Sequence, residues 1–100
     1  MSQKESTIQK RIVDYLNSLP YCKAVINHGN AWQGSGRPDI FASYRELFLA
    51  LEVKTETGQL TKLQLHELNK WSETGAIIGV VRNVDDVRQL LSLPPVKQVH

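Results

Sequence analysis

The sequence predicts an α/β fold in which helices pack against a single mixed sheet. Apolar residues recur at helical spacing in three segments, at residues 3–18, 61–74 and 84–91. Short runs rich in Val, Ile, Leu and Phe lie between these segments, a composition typical of strands. The elements follow in the order α-β-β-β-α-β-α, and helices that alternate with strands in this way pack against the faces of a sheet.

Length and composition indicate one small domain. The chain has 100 residues, 41% of them hydrophobic and 22% charged, with a net charge of +2. This composition excludes a disordered tail, and no apolar run is long enough to span a membrane. We expect one domain over residues 1–92 and a peripheral tail over residues 93–100. The lone Cys22 excludes an internal disulfide framework and a Cys-rich zinc site, and it favours a reduced, cytoplasmic setting.

The first helix is predicted over residues 3–18. Ser2 and Glu5 have the spacing of a capping box at its start. A short strand is predicted over residues 22–27. The segment that follows, to residue 36, is rich in Gly and Asn, which favours a loop.

Residues 39–44 and 47–54 are predicted to form an antiparallel hairpin that turns at residues 45–46. A symmetric turn there places Asp39 directly opposite Glu52. Alternate residues of the second strand point to opposite faces of the sheet. One face carries Leu47, Leu49, Leu51 and Val53, and the other carries Phe48, Ala50, Glu52 and Lys54.

The second half of the chain predicts a helix, a strand and a final helix. Thr61 and Gln64 form a capping box for a helix over residues 61–74. Residues 76–82 form an apolar strand, which we expect to be buried on both faces. Asn83 caps the last helix. The apolar stripe of that helix consists of Val84, Val87, Leu90 and Leu91.

Three polar residues stand out against the apolar strands. Asp39 and Glu52, placed across the hairpin, would lie about 5 Å apart and repel each other. A fold keeps such a pair cheaply only when a cation lies between them. That cation could be Lys54, two residues after Glu52, or a divalent metal, which prefers carboxylate oxygens and water. The alternative is that Glu52 and Lys54 form a weak ion pair on an exposed edge strand.

These residues stand in a recognisable order along the chain. Gly36-Arg37-Pro38-Asp39 is followed by an apolar strand that ends Glu52-Val53-Lys54, and this resembles the PD-(D/E)XK nuclease superfamily. The match is narrowed by Glu5, Gln9, Gly58 and Gln64. Together the motifs resemble the VRR-NUC (virus-type replication-repair nuclease) family in its small stand-alone, phage-like form, over residues 5 to about 90. The resemblance implies a restriction-endonuclease-like αβββαβ core with a C-terminal helix, and a nuclease domain over residues 1–92.

The resemblance also implies a metal site. Asp39 and Glu52 would bind Mg²⁺ or Mn²⁺ together with the backbone carbonyl of Val53, and Glu5 would reach the metal directly or through water. Lys54 would orient or deprotonate the attacking water, or stabilise charge in the transition state. A metal held in this way activates water and neutralises charge on the phosphate.

Several side chains have two interpretations. Gln64 could reach the scissile phosphate or Lys54, as the glutamine of the family does, or it could serve only the capping box; Glu5 could likewise be only a cap. Some basic and aromatic residues could contact DNA, or could belong to a solvated surface or anchor a loop. These residues are Arg37, Lys62, Lys70, Arg82 and Trp32.

The function that the resemblance implies is metal-dependent hydrolysis of DNA. Stand-alone members resemble Holliday-junction resolvases, so we expect a homodimer that cleaves four-way or otherwise branched DNA in repair, in the host cytoplasm if the chain is phage-encoded. Three alternatives remain open. The protein could cleave flaps or single strands, it could bind DNA without cleaving it, or it could be a plain α/β domain whose acidic residues are accidental.

Overall fold

The computed structural model describes residues 4–28 and 36–92, and these form the predicted order of elements. The elements are α1 (Glu5–Ser18), β1 (Cys22–Ile26), β2 (Ile40–Tyr44), β3 (Leu47–Val53), α2 (Lys62–Glu73), β4 (Ile77–Val81) and α3 (Val84–Ser92). The predicted fold class, with its αβββαβ core and C-terminal helix, is confirmed.

The four strands form one mixed sheet in the order β1-β2-β3-β4. β2 is antiparallel to both β1 and β3, whereas β3 and β4 are parallel. Tyr44 pairs with Leu47 and Ile40 pairs with Leu51, which is the predicted register of the hairpin. The turn at residues 45–46 is closed with Arg45 at a φ of 57°, a conformation that few non-glycine residues adopt. Continued by one pair, this register brings Asp39 opposite Glu52.

The sheet is covered differently on its two faces. α1 and α3 cover one face, where the inward residues of all four strands form the core. The buried members of this core are Ile8, Ile12, Leu16, Ala24, Ile40, Ala42, Leu49, Leu51, Val53, Val81 and Val87. α2 covers β3 and β4 on the other face, with Leu68 buried beneath it. Phe41, Phe48 and Trp71 stack against one another at the far end of α2, with ring centroids 4.9–5.6 Å apart.

Two of the three helix starts follow the sequence prediction. The Thr61 hydroxyl accepts a hydrogen bond from the Gln64 N–H, and Asn83 accepts one from the Asp86 N–H. The predicted capping box at the first helix is wrong, because the helix starts at Glu5 with Lys4 as its N-cap and no side-chain cap. Ser2 itself lies outside the described residues. Glu5 is therefore the first helical residue and has no capping-box role.

β4 is the second correction. The apolar run predicted a strand buried on both faces, but only Val81 is buried and the other four residues are half-buried. The reason is the strand order, which places β4 at an edge of the sheet. Hydrophobicity along a short run does not distinguish a central strand from an edge strand. In the described ranges no helix has the length and apolar character to cross a membrane.

Candidate active site

Glu52 is an ionisable residue buried at the centre of the sheet. β3 lies between β2 and β4, and only 1% of Glu52 is exposed, so the interpretation of an exposed edge-strand pair is wrong. Its Oε2 accepts a hydrogen bond from Gln64 Nε2 at 2.9 Å. Its Oε1 is buried without a hydrogen-bond partner among the described residues. An unpaired buried polar atom costs free energy, and in a native protein it calls for an explanation such as a catalytic role, a water or an ion.

Asp39 enters the site from the start of β2. Its Oδ2 accepts a hydrogen bond from the backbone N–H of Val53 at 2.8 Å, which ties the end of the loop to β3. Val53 lies two residues past the last paired residue of the β2–β3 ladder, so this side chain takes the place of a backbone acceptor. The contact fixes one carboxylate oxygen and orients the group toward Glu52.

The backbone segment that leads to Asp39 is constrained by α2 on one side and by Asn27 on the other. Gly36 has a φ of 85°, and a Cβ there would come within 2.7 Å of Leu63 Cγ, so the chain passes too close to α2 for a side chain. On the other side, the Asn27 N–H donates to the Asp39 carbonyl at 2.7 Å, and Asn27 Nδ2 donates to the Pro38 carbonyl at 3.1 Å. Sequence analysis did not select Asn27, because an Asn after a strand is an ordinary turn residue.

Burial and repulsion raise the pKa of Glu52 to about 8 from its ordinary 4.5. Burial is the largest cause, and the nearby negative charge of Asp39 acts in the same direction. Lys54 lowers the pKa of Glu52 but does not offset these effects. Without a further cation, the folded protein therefore holds a proton at this position near neutral pH.

Lys54 is buried to a similar degree, with 7% exposed, and it shares the sheet face of Glu52. The Nζ atom of Lys54 lies 4.0 Å from Oε2 of Glu5, so Lys54 forms a long ion pair with the first residue of α1. Gly58 lies against its stem, where a Cβ would be 3.3 Å from Lys54 Cδ. Of the two cations that sequence analysis left open, Lys54 alone does not satisfy the Glu52 carboxylate, because Oε1 remains unpaired.

Gln64 performs two structural tasks at once. Its Oε1 accepts from the Thr61 N–H at 2.9 Å, which completes the capping box, while Nε2 donates to Glu52. The helix start and the buried carboxylate are therefore held by one amide. The capping box is confirmed, and the further contact of Gln64 in the described residues is with Glu52 rather than with Lys54.

The loop after Lys54 is tied down by Arg82. Its Nη1 donates to the carbonyl oxygens of Thr55 at 2.6 Å and Gly58 at 2.8 Å, with a longer contact to Glu56 at 3.4 Å. This loop connects the site strand to α2. The sequence predicted Arg82 as a DNA contact. In the structure Arg82 holds the loop after Lys54, a role that its charge and its position after β4 do not indicate.

The other proposed DNA-binding residues differ in their position along the chain and along α2 relative to Asp39 and Glu52. Arg37 is exposed and stands two residues before Asp39, and Lys62 is exposed at the first position of α2. Lys70 is exposed eight residues further along α2, about 12 Å along its axis. Trp32 lies outside the described residues.

The donor set fits a hard divalent cation. No group of three or more His, Cys, Asp and Glu side chains suited to a metal occurs in residues 4–28 and 36–92. The two carboxylates with one unpaired buried oxygen, beside the start of an irregular segment, instead suit an ion that takes most of its ligands from water and substrate, as Mg²⁺ does. The residues that could hold it are Asp39, Glu52 and the Val53 carbonyl.

Comparison with known proteins supports the fold. No family model matches the sequence, and no curated protein matches it. A solved structure described as a "VRR_NUC domain" has 25% identity and a TM-score of 0.69, covering 87% of this chain and 92% of that one. A second, described as a "VRR_NUC domain protein", has 16% identity and a TM-score of 0.68, covering 91% and 87%. The chain thus has the fold of VRR-NUC domains, which confirms the resemblance seen in the sequence.

Proposed function

We propose that this protein is a divalent-metal-dependent DNA endonuclease, a hydrolase of phosphodiester bonds of the PD-(D/E)XK type. The observation that carries the proposal is the buried pair Asp39 and Glu52, with one carboxylate oxygen unpaired and with Lys54 and Gln64 beside it. A structural role alone does not account for this arrangement, because keeping two acids together in a sheet destabilises the fold. The fold shared with VRR-NUC domains supports the same function.

Each residue has a role that follows from its contacts. Asp39, Glu52 and the Val53 carbonyl hold Mg²⁺ or Mn²⁺, which when bound supplies a more acidic water and neutralises phosphate charge. Gln64 keeps the Glu52 carboxylate oriented. Lys54 presents its ammonium group beside the scissile phosphate, where it orients the attacking water or stabilises developing negative charge. Glu5 pairs with Lys54 from α1, and its contact with the metal through water is proposed from the resemblance alone.

DNA is the substrate that the charges suit. Arg37 and Lys62 are exposed at the same end of α2 as Gln64, where they can contact phosphates. Lys70 would extend this contact along α2, and Trp32 is proposed from the sequence alone. For Arg82 we favour positioning the loop over contacting DNA, because its Nη1 is already bound to carbonyl groups.

We further propose that a homodimer acts on branched DNA such as a four-way junction, in repair and in the cytoplasm. A domain of 100 residues offers little surface for recognising a substrate alone. A two-fold axis would supply two sites for two strands. Residues 1–92 are the nuclease domain in this proposal, and residues 93–100 are a tail.

The test is cleavage of a labelled four-way junction, a flap and a linear duplex in Mg²⁺, Mn²⁺ or EDTA. We expect metal-dependent cleavage of the junction, lost in Asp39→Ala and Lys54→Ala. Asp14→Ala and Lys10→Ala are matched controls, because these exposed residues pair with each other on α1. Equal cleavage of all three substrates would retain the nuclease and reject the junction preference. Junction binding without cleavage under any condition would favour a non-catalytic DNA-binding protein.

A further inference from the structure

The two edges of the sheet differ in how they are protected. β1 carries the exposed Lys23 near its middle, and a charge on an edge strand discourages pairing with another strand. β4 has the sequence Ile-Ile-Gly-Val-Val, with no charged residue and no proline. Its outer side has no strand partner in the described part of the chain. Natural proteins rarely leave such an edge open.

The free backbone groups of β4 can be assigned from one hydrogen bond. The Val81 carbonyl accepts from the Lys54 N–H at 3.1 Å, so the backbone groups of Val81 point toward β3. Because the direction alternates along a strand, the N–H and C=O groups of Ile78 and Val80 point outward. An open cleft at this edge reaches Val80, one of these two residues; it is lined by Gly79, Val80, Val81, Asp86, Gln89 and Leu90.

An exposed apolar side chain of α2 lies toward the same edge. Gln64, Leu68 and Trp71 face the sheet, and Leu63 abuts Gly36 on the side of β2. Leu65 is about 100° around the helix from Gln64, on the side opposite Leu63. It therefore faces the β4 side, and 49% of it is exposed.

We propose that this edge is where a second copy of the chain binds, with the two β4 strands pairing antiparallel about a two-fold axis at Gly79. The inference rests on the homodimer of the proposed function and names its interface. In this register Ile78 of each copy lies opposite the partner's Val80, so the outward backbone groups exchange hydrogen bonds. The two Gly79 residues form the narrow pair, with Cα atoms about 4.5 Å apart.

A second copy suits this edge because the strand is symmetric in character. Two β-branched residues precede Gly79 and two follow it, so an antiparallel copy places β-branched residues opposite one another. An isologous interface requires such self-complementarity. The Leu65 side chains of the two α2 helices would extend the contact above the sheet.

The proposed dimer also places the two candidate sites close to the interface and on one face of the sheet. Val80 is the register partner of Glu52, so each site lies one strand from the interface. Both sites then open on the same face of a continuous eight-stranded sheet. The two β3 strands are separated by three strand spacings, about 14 Å. Two sites on one face can reach two strands of one DNA molecule.

The first test is the molecular mass of the full chain, measured by sedimentation at concentrations from micromolar to ~100 µM. We expect a dimer that Ile78→Lys converts to a monomer, halving the mass. Val25→Lys is the matched control, because Val25 is 48% exposed on the other edge strand, and it should leave the dimer intact. Conversion by Val25→Lys and not by Ile78→Lys would overturn the proposal.

The second test needs no variant and is unaffected if Ile78→Lys fails to fold. Amide hydrogen exchange is followed by NMR on dilute and concentrated wild-type protein. We expect exchange at Ile78 and Val80 to slow by roughly tenfold or more at high concentration, with Lys23 unchanged. Concentration-independent exchange at both amides, or a monomer throughout, would overturn the interface. Neither readout depends on cleavage, so metal-dependent nuclease activity could persist if this proposal fails.

Discussion

On one face of β3, Leu49, Leu51 and Val53 are fully buried beneath α1 and α3. On the other face of the same strand, Glu52 and Lys54 are nearly as buried, but they are ionisable and only partly paired. The first face is closed by the apolar side chains of the core. The second is closed by α2, whose first turn donates an amide to Glu52 and leaves one carboxylate oxygen free. Neighbouring residues of β3 thus have different roles: those on one face stabilise the core, and those on the other face form the candidate active site.

The largest expected effect is on activity, from the polar face. Glu52→Gln should lower metal-dependent cleavage by ~100-fold or more, because a ligand worth several kcal/mol is lost and each tenfold corresponds to about 1.4 kcal/mol. The same variant should unfold no more easily than the wild type in EDTA, because it removes an unpaired carboxylate. Cleavage rates and denaturant unfolding together measure this. A variant that is both inactive and strongly destabilised would contradict the assignment of activity to the polar face and of stability to the apolar face.

The complementary change is on the apolar face. Leu51→Ala should lower the free energy of unfolding by about 2–5 kcal/mol, through lost burial and the cavity that remains. Its cleavage rate per folded molecule, measured well below the unfolding transition, should stay near that of the wild type. Leu63→Ala, at a half-exposed leucine, is the matched control and should cost less than about 1 kcal/mol. A comparable loss in both variants would contradict the assignment of the core.

The pH dependence of stability should report the polar face. Because the pKa of Glu52 is raised from 4.5 to about 8, the folded state holds a proton that the unfolded state releases at lower pH. In chelator, stability should therefore fall as pH rises from about 5 to 8, by on the order of 3–4 kcal/mol, and level off above. Unfolding in urea at several pH values measures the slope. Glu52→Gln should flatten it, and an unchanged slope in that variant would assign the proton to another group.

The smallest effect separates the two tasks of Gln64. Thr61→Ala removes the hydroxyl of the capping box and leaves the Gln64–Glu52 bond available, so it should cost about 1 kcal/mol with near-normal cleavage. Gln64→Ala should cost a similar amount of stability and also lower the cleavage rate, by about tenfold. Thermal unfolding and single-turnover cleavage distinguish them. If the two variants cleave DNA at equal rates, Gln64 acts in the capping box and has no role in cleavage.

Much of this organisation can be predicted from local patterns. The order of elements, the hairpin register and the caps at Thr61 and Asn83 depend on residues close in the chain, and the structure confirms them. The motif residues were identified by resemblance, and the structure brings Asp39, Glu52 and Gln64 to one place.

What the sequence did not reveal depends on long-range arrangement. The exposure of β4 follows from the strand order, which no local run of apolar residues encodes. The contacts of Asn27 to the Pro38–Asp39 segment and of Arg82 to the loop at residues 55–58 join segments more than ten residues apart. Polar residues of this kind look the same in sequence whether they face solvent or hold a backbone.

The way Arg82 fastens the loop has a practical consequence. Among the described residues, the guanidinium contacts carbonyl oxygens, which every amino acid supplies, so these contacts do not depend on the side chains of the loop. Glu56, Thr57 and Gln59 are exposed and close in sequence to Lys54. These positions can be randomised in a library or carry a fluorescent label with little disturbance to the fold. The loop is thereby a natural place to alter which DNA the protein selects, or to watch it bind.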